Sequence, residues 1–231
     1  MYSFPKIFFW FFCASIFYIY IGYPLAIYLL SQIFKSKSDH PTIDYTPMIS
    51  LIIPARNEEK IIERKIRNCL ELYYPEDKLE IVIISDNSTD KTDEIVRKFS
   101  NKNVKLIALQ ERNGKTEAQN IASKIAPGEI LVFSDANAMY IPEALNHLTA
   151  HFMHPDVACV SGELCYQNPQ KSIAGHEENF YWQYEKFIKR QENQFGTILG
   201  VNGSIYAIRK KQYIPLEKEI ISDLIEPLEI V

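Results

Sequence analysis

Charge is missing from the first part of this 231-residue chain: the run IFFWFFCASIFYIYIGYPLAIYLLSQIF, Ile7 to Phe34, holds no Asp, Glu, Lys or Arg. A bilayer core needs only about 20 such residues, so a membrane span is expected there. The run is too long for a signal peptide, and no small-x-small cleavage site follows it cleanly. A basic surplus is missing as well, since 25 Lys and Arg face 29 Asp and Glu for a net charge of −4. That balance argues against a broad nucleic-acid surface. The four cysteines, Cys13, Cys69, Cys159 and Cys165, form no CxxC pair and show no metal-type spacing. They read as buried free thiols in a reducing compartment. There is no low-complexity tract and no internal repeat beyond the rhythm of its elements, and Gly114-Lys115 lacks the spacing of a P-loop.

What is present divides into an anchor over residues 1–36, a polar linker over 37–47 punctuated by Pro41 and Pro47, and a domain over 48–231. The domain is long enough to bury roughly 70% of its unfolded surface in one core. In the anchor, Trp10, Tyr18, Tyr20, Tyr23 and Tyr28 suit membrane interfaces, and Pro24 after Gly22 is expected to kink or end the helix. Lys35 and Lys37 after the span outnumber Lys6 before it, which mildly favours a cytoplasmic domain on a cell membrane.

Short apolar runs, Ile49–Ile53, Ile81–Ile84, Val104–Leu109 and Ile130–Phe133, alternate with helical patterns. The first helix carries Ile62, Ile66, Cys69, Leu70 and Tyr73, the second Ile95, Val96 and Phe99, the third Ala118, Ile121, Ala122 and Ile125. Strand, helix, strand in this alternation specifies a mostly parallel α/β sheet covered on both faces. Further on, a helix from Pro142 turns Leu145, Leu148 and Phe152 inward, Val157–Val160 and IYAI are strands, and Gly162–Gln167 is strand or loop. Glu177–Glu192 presents Phe180, Tyr181, Tyr184, Phe187 and Ile188 on one helix face, for core packing or for a membrane interface.

Two of the strands end in Ser-Asp: IVIISD at Asp86 and ILVFSD at Asp135. In an open α/β sheet both carboxylates reach the carboxyl edge, where ligands bind. An Asp behind a strand also serves a turn or a helix cap, and a lone lysine is commonly a solvated surface residue. Asp135 and Asn137 offer hard oxygens suited to Mg²⁺ or Mn²⁺ carrying a phosphate. Lys115, behind Gly114 at a helix start, adds an ammonium beside backbone N–H groups that favour anions. Together these residues describe a site for a nucleotide diphosphate.

The runs LIIPARNEE, IVIISDNSTDKT, ERNGKTEAQN and ILVFSDANAMY, in this order, resemble the inverting glycosyltransferases of sequence family 2, and ENFYWQYEKF, ILGVNGSIYAIR and IISDLIEPLEIV extend the likeness over residues 48–231. The resemblance implies the GT-A nucleotide-diphospho-sugar transferase fold, a Rossmann-like sheet, here preceded by one transmembrane helix. It implies a nucleotide-sugar donor, a UDP-sugar, and a glycan or lipid-linked acceptor. Pro54, Ala55, Asn57 and Glu58 would line the nucleotide pocket, Asp86 would bond the base, Lys115 would face the diphosphate, and Asp135 with Asn137 would hold the metal. Asp223 matches the catalytic base, although Ser222 stands where the family has an acidic partner. Members that polymerise processively carry a Gln-x-x-Arg-Trp motif and further spans after the base, and this chain ends before either, so a C-terminally truncated member is expected. A catalytically inactive module, or half of a split enzyme with a C-terminal partner chain, is therefore the alternative expectation.

Overall fold

The computed structural model describes residues 3–34, 45–163, 173–194 and 200–230. The expectations for the linker before Tyr45, for Lys35, Lys37 and Cys165, for the side chains of Phe180 and Tyr181, and for most of Gly162–Gln167 lie outside the described residues. The chain divides into two compact units, Met1–Asp39 with Tyr166–Leu199, and His40–Cys165 with Gly200–Val231.

The first unit holds an apolar helix from Phe4 to Ile33, long and apolar enough by length and composition to cross a membrane. It consists of α1 (Ser3–Phe17), a π-helical turn (Tyr18–Gly22) and α2 (Tyr23–Ile33). Pro24 does not end the helix. Proline clashes with the carbonyl one turn back, and the wider π turn immediately before it, closed by Tyr23 N–H on Tyr18 O, takes up the misfit. Helix α7 (Ile173–Asn193) packs on α2 through polar bonds. Tyr23 Oη donates to Glu192 Oε1 at 2.6 Å, Ser31 Oγ to Gln191 Oε1 at 2.6 Å, and Tyr184 Oη to Tyr20 O at 3.1 Å. Tyr184 and Phe187 of α7 thus lie against the apolar helix: the Phe187 ring lies 6.2 Å from that of Tyr28.

The second unit is built on a six-stranded sheet. Its strands are β1 (Ile49–Ala55), β2 (Leu79–Ser85), β3 (Val104–Ala108), β4 (Ile130–Ser134), β5 (Cys159–Ser161) and β6 (Ile205–Arg209). The first four run parallel, and β6 lies antiparallel between β4 and β5. The mostly parallel α/β sheet expected from the sequence is present. Strands buried on both faces read as unbroken apolar runs, which is why ISLII and ILVF were legible. On one face Ile49, Leu51 and Ile53 pack with Ile62, Ile66 and Cys69 of α3 (Ile62–Leu70), Val96 of α4 (Thr92–Arg97), and Leu145 and Leu148 of α6 (Ala144–Ala150). On the other face α5 (Lys115–Ile125) buries Ala118 and Ala122. Gly128 crosses so close to β1 that a Cβ would overlap the backbone of Ile49 and Ser50, and its N–H donates to Ser50 Oγ at 2.9 Å.

Two helix faces differ from their sequence patterns. Helix α3 stops at Leu70, so Tyr73 turns outward and Leu72 and Tyr74 are buried in its place. On α5, Ile125 is 50% exposed, while Thr116, Gln119, Asn120 and Ser123 are buried. The chain steps from β1 outward to β2 and β3, then returns to β4 on the other side of β1. The carboxyl ends of β1 and β4 therefore form the switch point where ligands sit in such sheets.

Candidate active site

The tips of β1 and β2 are stitched to one another. Asn57 and Asn87 both adopt left-handed backbone, φ 55° and 52°, which Asn tolerates better than most side chains. Asn57 Oδ1 accepts from Thr89 N–H at 2.8 Å, Glu58 N–H donates to Thr92 Oγ1 at 2.8 Å, and Glu59 N–H to Asp90 Oδ2 at 3.0 Å. Burial works to raise the pKa of Asp90, yet the Thr92 hydroxyl and backbone N–H groups outweigh it and hold the carboxyl below its usual range. Glu58 is pushed up by burial and by neighbouring Asp90. Pro54 and Ala55 close β1 in register with Ile84 and Ser85, and Asp86 N–H donates to Ala55 O at 2.9 Å.

Asp86 is 5% exposed. Its Oδ1 accepts from Asn113 N–H at 2.6 Å and its Oδ2 from Gly114 N–H at 2.9 Å. The carboxylate therefore braces the turn that starts α5, where Gly114 takes φ 88°. Lys115 follows at once, and its Nζ meets Asp135 Oδ1 at 2.8 Å with both side chains more than a third exposed. Asn137 is exposed on the same loop.

Asp223 reaches this edge from α8 (Ser222–Glu229). Its carbonyl accepts from Val201 N–H at 2.8 Å, and its Oδ2 rests where a Cβ on Gly203 would overlap it. That same Cβ would lie 3.4 Å from Lys115 Nζ, so the bare Cα of Gly203 lets Lys115 and Asp223 converge. The buried polar face of α5 holds the segment from Leu216 to Ser222 that leads into α8. Thr116 Oγ1 donates to Ile220 O at 2.6 Å, Ser222 Oγ to Gln119 Oε1 at 2.6 Å, and Asn120 Nδ2 to Leu216 O at 2.8 Å. Ser222 thus has a structural partner of its own. A shallow recess of about 270 Å³ beside this edge is lined by Arg112, Asn113, Gly114, Lys218 and Glu219. A larger hollow of about 880 Å³ lies around Leu79, Val104 and Glu76, where β2 and β3 begin, and contains none of the site residues.

Two ionisable groups here were not singled out from the sequence. Glu226, one turn after Asp223, is 1% exposed, and among the described residues neither of its oxygens has a hydrogen-bond partner of good geometry. Burial pushes its carboxyl up to about 7, against the pull of the nearby Tyr206 and Tyr213 hydroxyls. Lys65 of α3 is fully buried, and burial lowers its ammonium to about 8 while Cys69 and Asp135 pull it back up. Its signal was its spacing: Lys65 falls between Ile62 and Ile66 on the apolar stripe.

Three comparisons bear on this geometry. The model of the family described as "Glycosyl transferase family 2" matches residues 50–214. The chain belongs to glycosyl transferase family 2. A family 2 relative, a beta-monoglucosyldiacylglycerol synthase of Nostoc sp., is 32% identical over 176 residues, which are 71% of this chain and 36% of that protein. A poly-beta-1,6-N-acetyl-D-glucosamine synthase of Staphylococcus aureus is 27% identical over 191 residues, 81% of this chain and 46% of that protein. The chain thus spans less than half the length of these curated relatives. Among solved structures, a mannosyltransferase of Pyrobaculum calidifontis in complex with GDP-Man and Mn²⁺ superposes with a TM-score of 0.74 at 25% identity, over 91% of this chain and 60% of that one. The family 2 sheet with its GT-A architecture is the one described above.

Proposed function

We propose that this protein moves a sugar from a nucleotide-diphospho-sugar, a UDP-sugar, to a glycan or lipid-linked acceptor with inversion, working on the cytoplasmic face of a membrane that its N-terminal helix anchors. The observation that carries this reading is the meeting of Lys115, Asp135 and Asp223 at the switch-point edge. The Nostoc and Staphylococcus relatives support a lipid or glycan acceptor, and the archaeal neighbour supports a nucleotide sugar with a divalent metal.

The donor set suits such a metal. Among the described residues no group of three or more His, Cys, Asp or Glu could hold an ion alone. One carboxylate and one neutral amide oxygen fit Mg²⁺ or Mn²⁺, which keep waters and take the remaining ligands from phosphates. Asp135 and Asn137 would hold it, and when bound it would neutralise charge on the diphosphate.

Pro54, Ala55, Asn57 and Glu58 line the nucleotide pocket. Asp86 faces the base while bracing Asn113 and Gly114, since each carboxylate oxygen can accept a second bond. Lys115 leaves Asp135 for the diphosphate and stabilises its growing charge. The acceptor hydroxyl attacks the anomeric carbon, Asp223 takes its proton, and the bond to the diphosphate oxygen breaks with its electron pair. A single displacement of this kind inverts the centre.

The test uses the full chain in detergent, with UDP titrated by calorimetry with and without Mn²⁺. Mn²⁺-dependent binding is expected in the parent and in Asp223→Asn, and its loss in Asp135→Ala. Transfer retained by Asp223→Asn would overturn the assignment of the base. GDP binding in place of UDP would overturn the donor class.

A further inference from the structure

Helix α3 reaches behind the loop that follows β4. Lys65 Nζ donates to Ala138 O at 2.5 Å and stands 3.7 Å from the centre of the Tyr140 ring. One turn on, Asn68 Nδ2 donates to Tyr140 O at 2.9 Å and Asn68 Oδ1 accepts from Tyr140 N–H at 2.8 Å. Three bonds from one helix face thus fix residues 138 and 140, directly after Asp135 and Asn137. Tyr140 Oη in turn donates to Ser204 O at 3.2 Å, next to Gly203 and so to the contact with Asp223.

A fully buried ammonium is a poor choice for stability. Lys65 gives up its hydration for one carbonyl and one ring face, and an apolar side chain of similar length would fill the space at lower cost. The desolvation is justified if the charge is needed where it sits, behind the loop that carries Asp135.

We propose that Lys65 and Asn68 are positioning residues of the donor site, which hold the loop from Asp135 to Tyr140 so that Asp135 and Asn137 present their oxygens at the sheet edge. This rests on the donor-site reading given above. Neither residue touches the donor. Lys65 sets the height of the loop through Ala138, and Asn68 sets its direction through both backbone groups of Tyr140.

The experiment compares the full chain in detergent with Lys65→Met and Asn68→Ser. Amide hydrogen exchange is followed in peptides covering residues 135–140, and Mn²⁺ is titrated by calorimetry in the presence of UDP. For Lys65→Met the expected result is an unchanged or higher melting temperature, exchange at least about tenfold faster in the loop but not in β4, and a half-saturating Mn²⁺ concentration raised about tenfold or more. Asn68→Ser shifts the same readouts in the same direction and decides the matter if Lys65→Met does not fold. Unchanged loop exchange in a folded variant overturns the proposal, as does a lower melting temperature with unchanged Mn²⁺ affinity. Faster loop exchange in a protein whose parent takes up no UDP supports the brace and counts against the donor reading instead.

Discussion

Asp86 and Asp135 end two parallel strands in nearly the same words, IISD and VFSD, on either side of β1. They meet opposite fates. Asp86 is buried and accepts a bond on each oxygen from the backbone N–H groups of Asn113 and Gly114, whereas Asp135 stays partly exposed and pairs with the partly exposed side chain of Lys115. The difference comes from the next strand over. Beside β2 the chain returns from β3 and lays its turn onto Asp86, while beside β4 the antiparallel β6 runs the other way and leaves Asp135 facing the open edge. A strand-tip carboxylate is tied down as a brace or left open at the edge according to what the neighbouring crossover delivers.

The sharpest way to test this contrast is to make the same change at both tips. Asp135→Asn is expected to lower transfer by on the order of 10³-fold, as for loss of a group that acts on transition-state charge, with the melting temperature nearly unmoved. Steady-state rates and thermal melts on the two variants check it. Asp86→Asn, by contrast, is expected to cost about 1.5–3 kcal/mol of stability, the range for hydrogen bonds to a charged group, because an amide can match only one of the two N–H donors. Chemical denaturation measures it. A stable Asp86→Asn variant would mean that the brace is not what the carboxylate supplies.

Glu226 extends the comparison to a third carboxyl, buried beside the Tyr206 and Tyr213 hydroxyls and with no cation paired to it among the described residues. Its folded pKa of about 7 lies above the unfolded value, so the proton is bound more tightly in the folded chain. Its contribution is present in full below about pH 4.5 and is lost as pH rises through 7. Glu226→Gln should therefore flatten the fall in stability between pH 5 and 8 and gain on the order of 1–2 kcal/mol at the upper end. Denaturation at both pH values decides it. A parallel fall in both proteins would assign the pH dependence elsewhere.

The sequence made the sheet and its two aspartate tips readable because buried parallel strands leave apolar runs with a polar stop. Lys115 was readable because Gly114 announces the turn before it. What stayed hidden is the second rank of polar residues. Gln119 and Asn120 look like the solvent side of an amphipathic helix, yet they are buried against Tyr206, Leu216 and Ser222, and only the return of the chain through β6 and on to Ser222 supplies those partners. Lys65 broke the apolar stripe of α3 in plain view, but a lone lysine carries no message until the fold brings Ala138 and Tyr140 within its reach. Long-range pairing, which periodicity does not encode, accounts for both.

The smallest expected effect concerns the Lys115–Asp135 pair itself. At 2.8 Å it has the geometry of a good ion pair, but with 40% and 35% of the two side chains exposed, water screens it and competes for both groups. Such pairs contribute about 0–1 kcal/mol, so Lys115→Met should shift a urea denaturation curve by less than about 1 kcal/mol. Removing the lysine leaves Asp135 hydrated rather than stranded, since its carboxylate already faces solvent. On the proposed reading the same variant should lose UDP affinity, because the ammonium would act on the diphosphate rather than on the fold. A loss of about 2 kcal/mol or more, beyond the range for exposed pairs, would place Asp135 with Asp86 among the braces and erase the distinction between the two tips. A small loss together with weakened UDP binding keeps it.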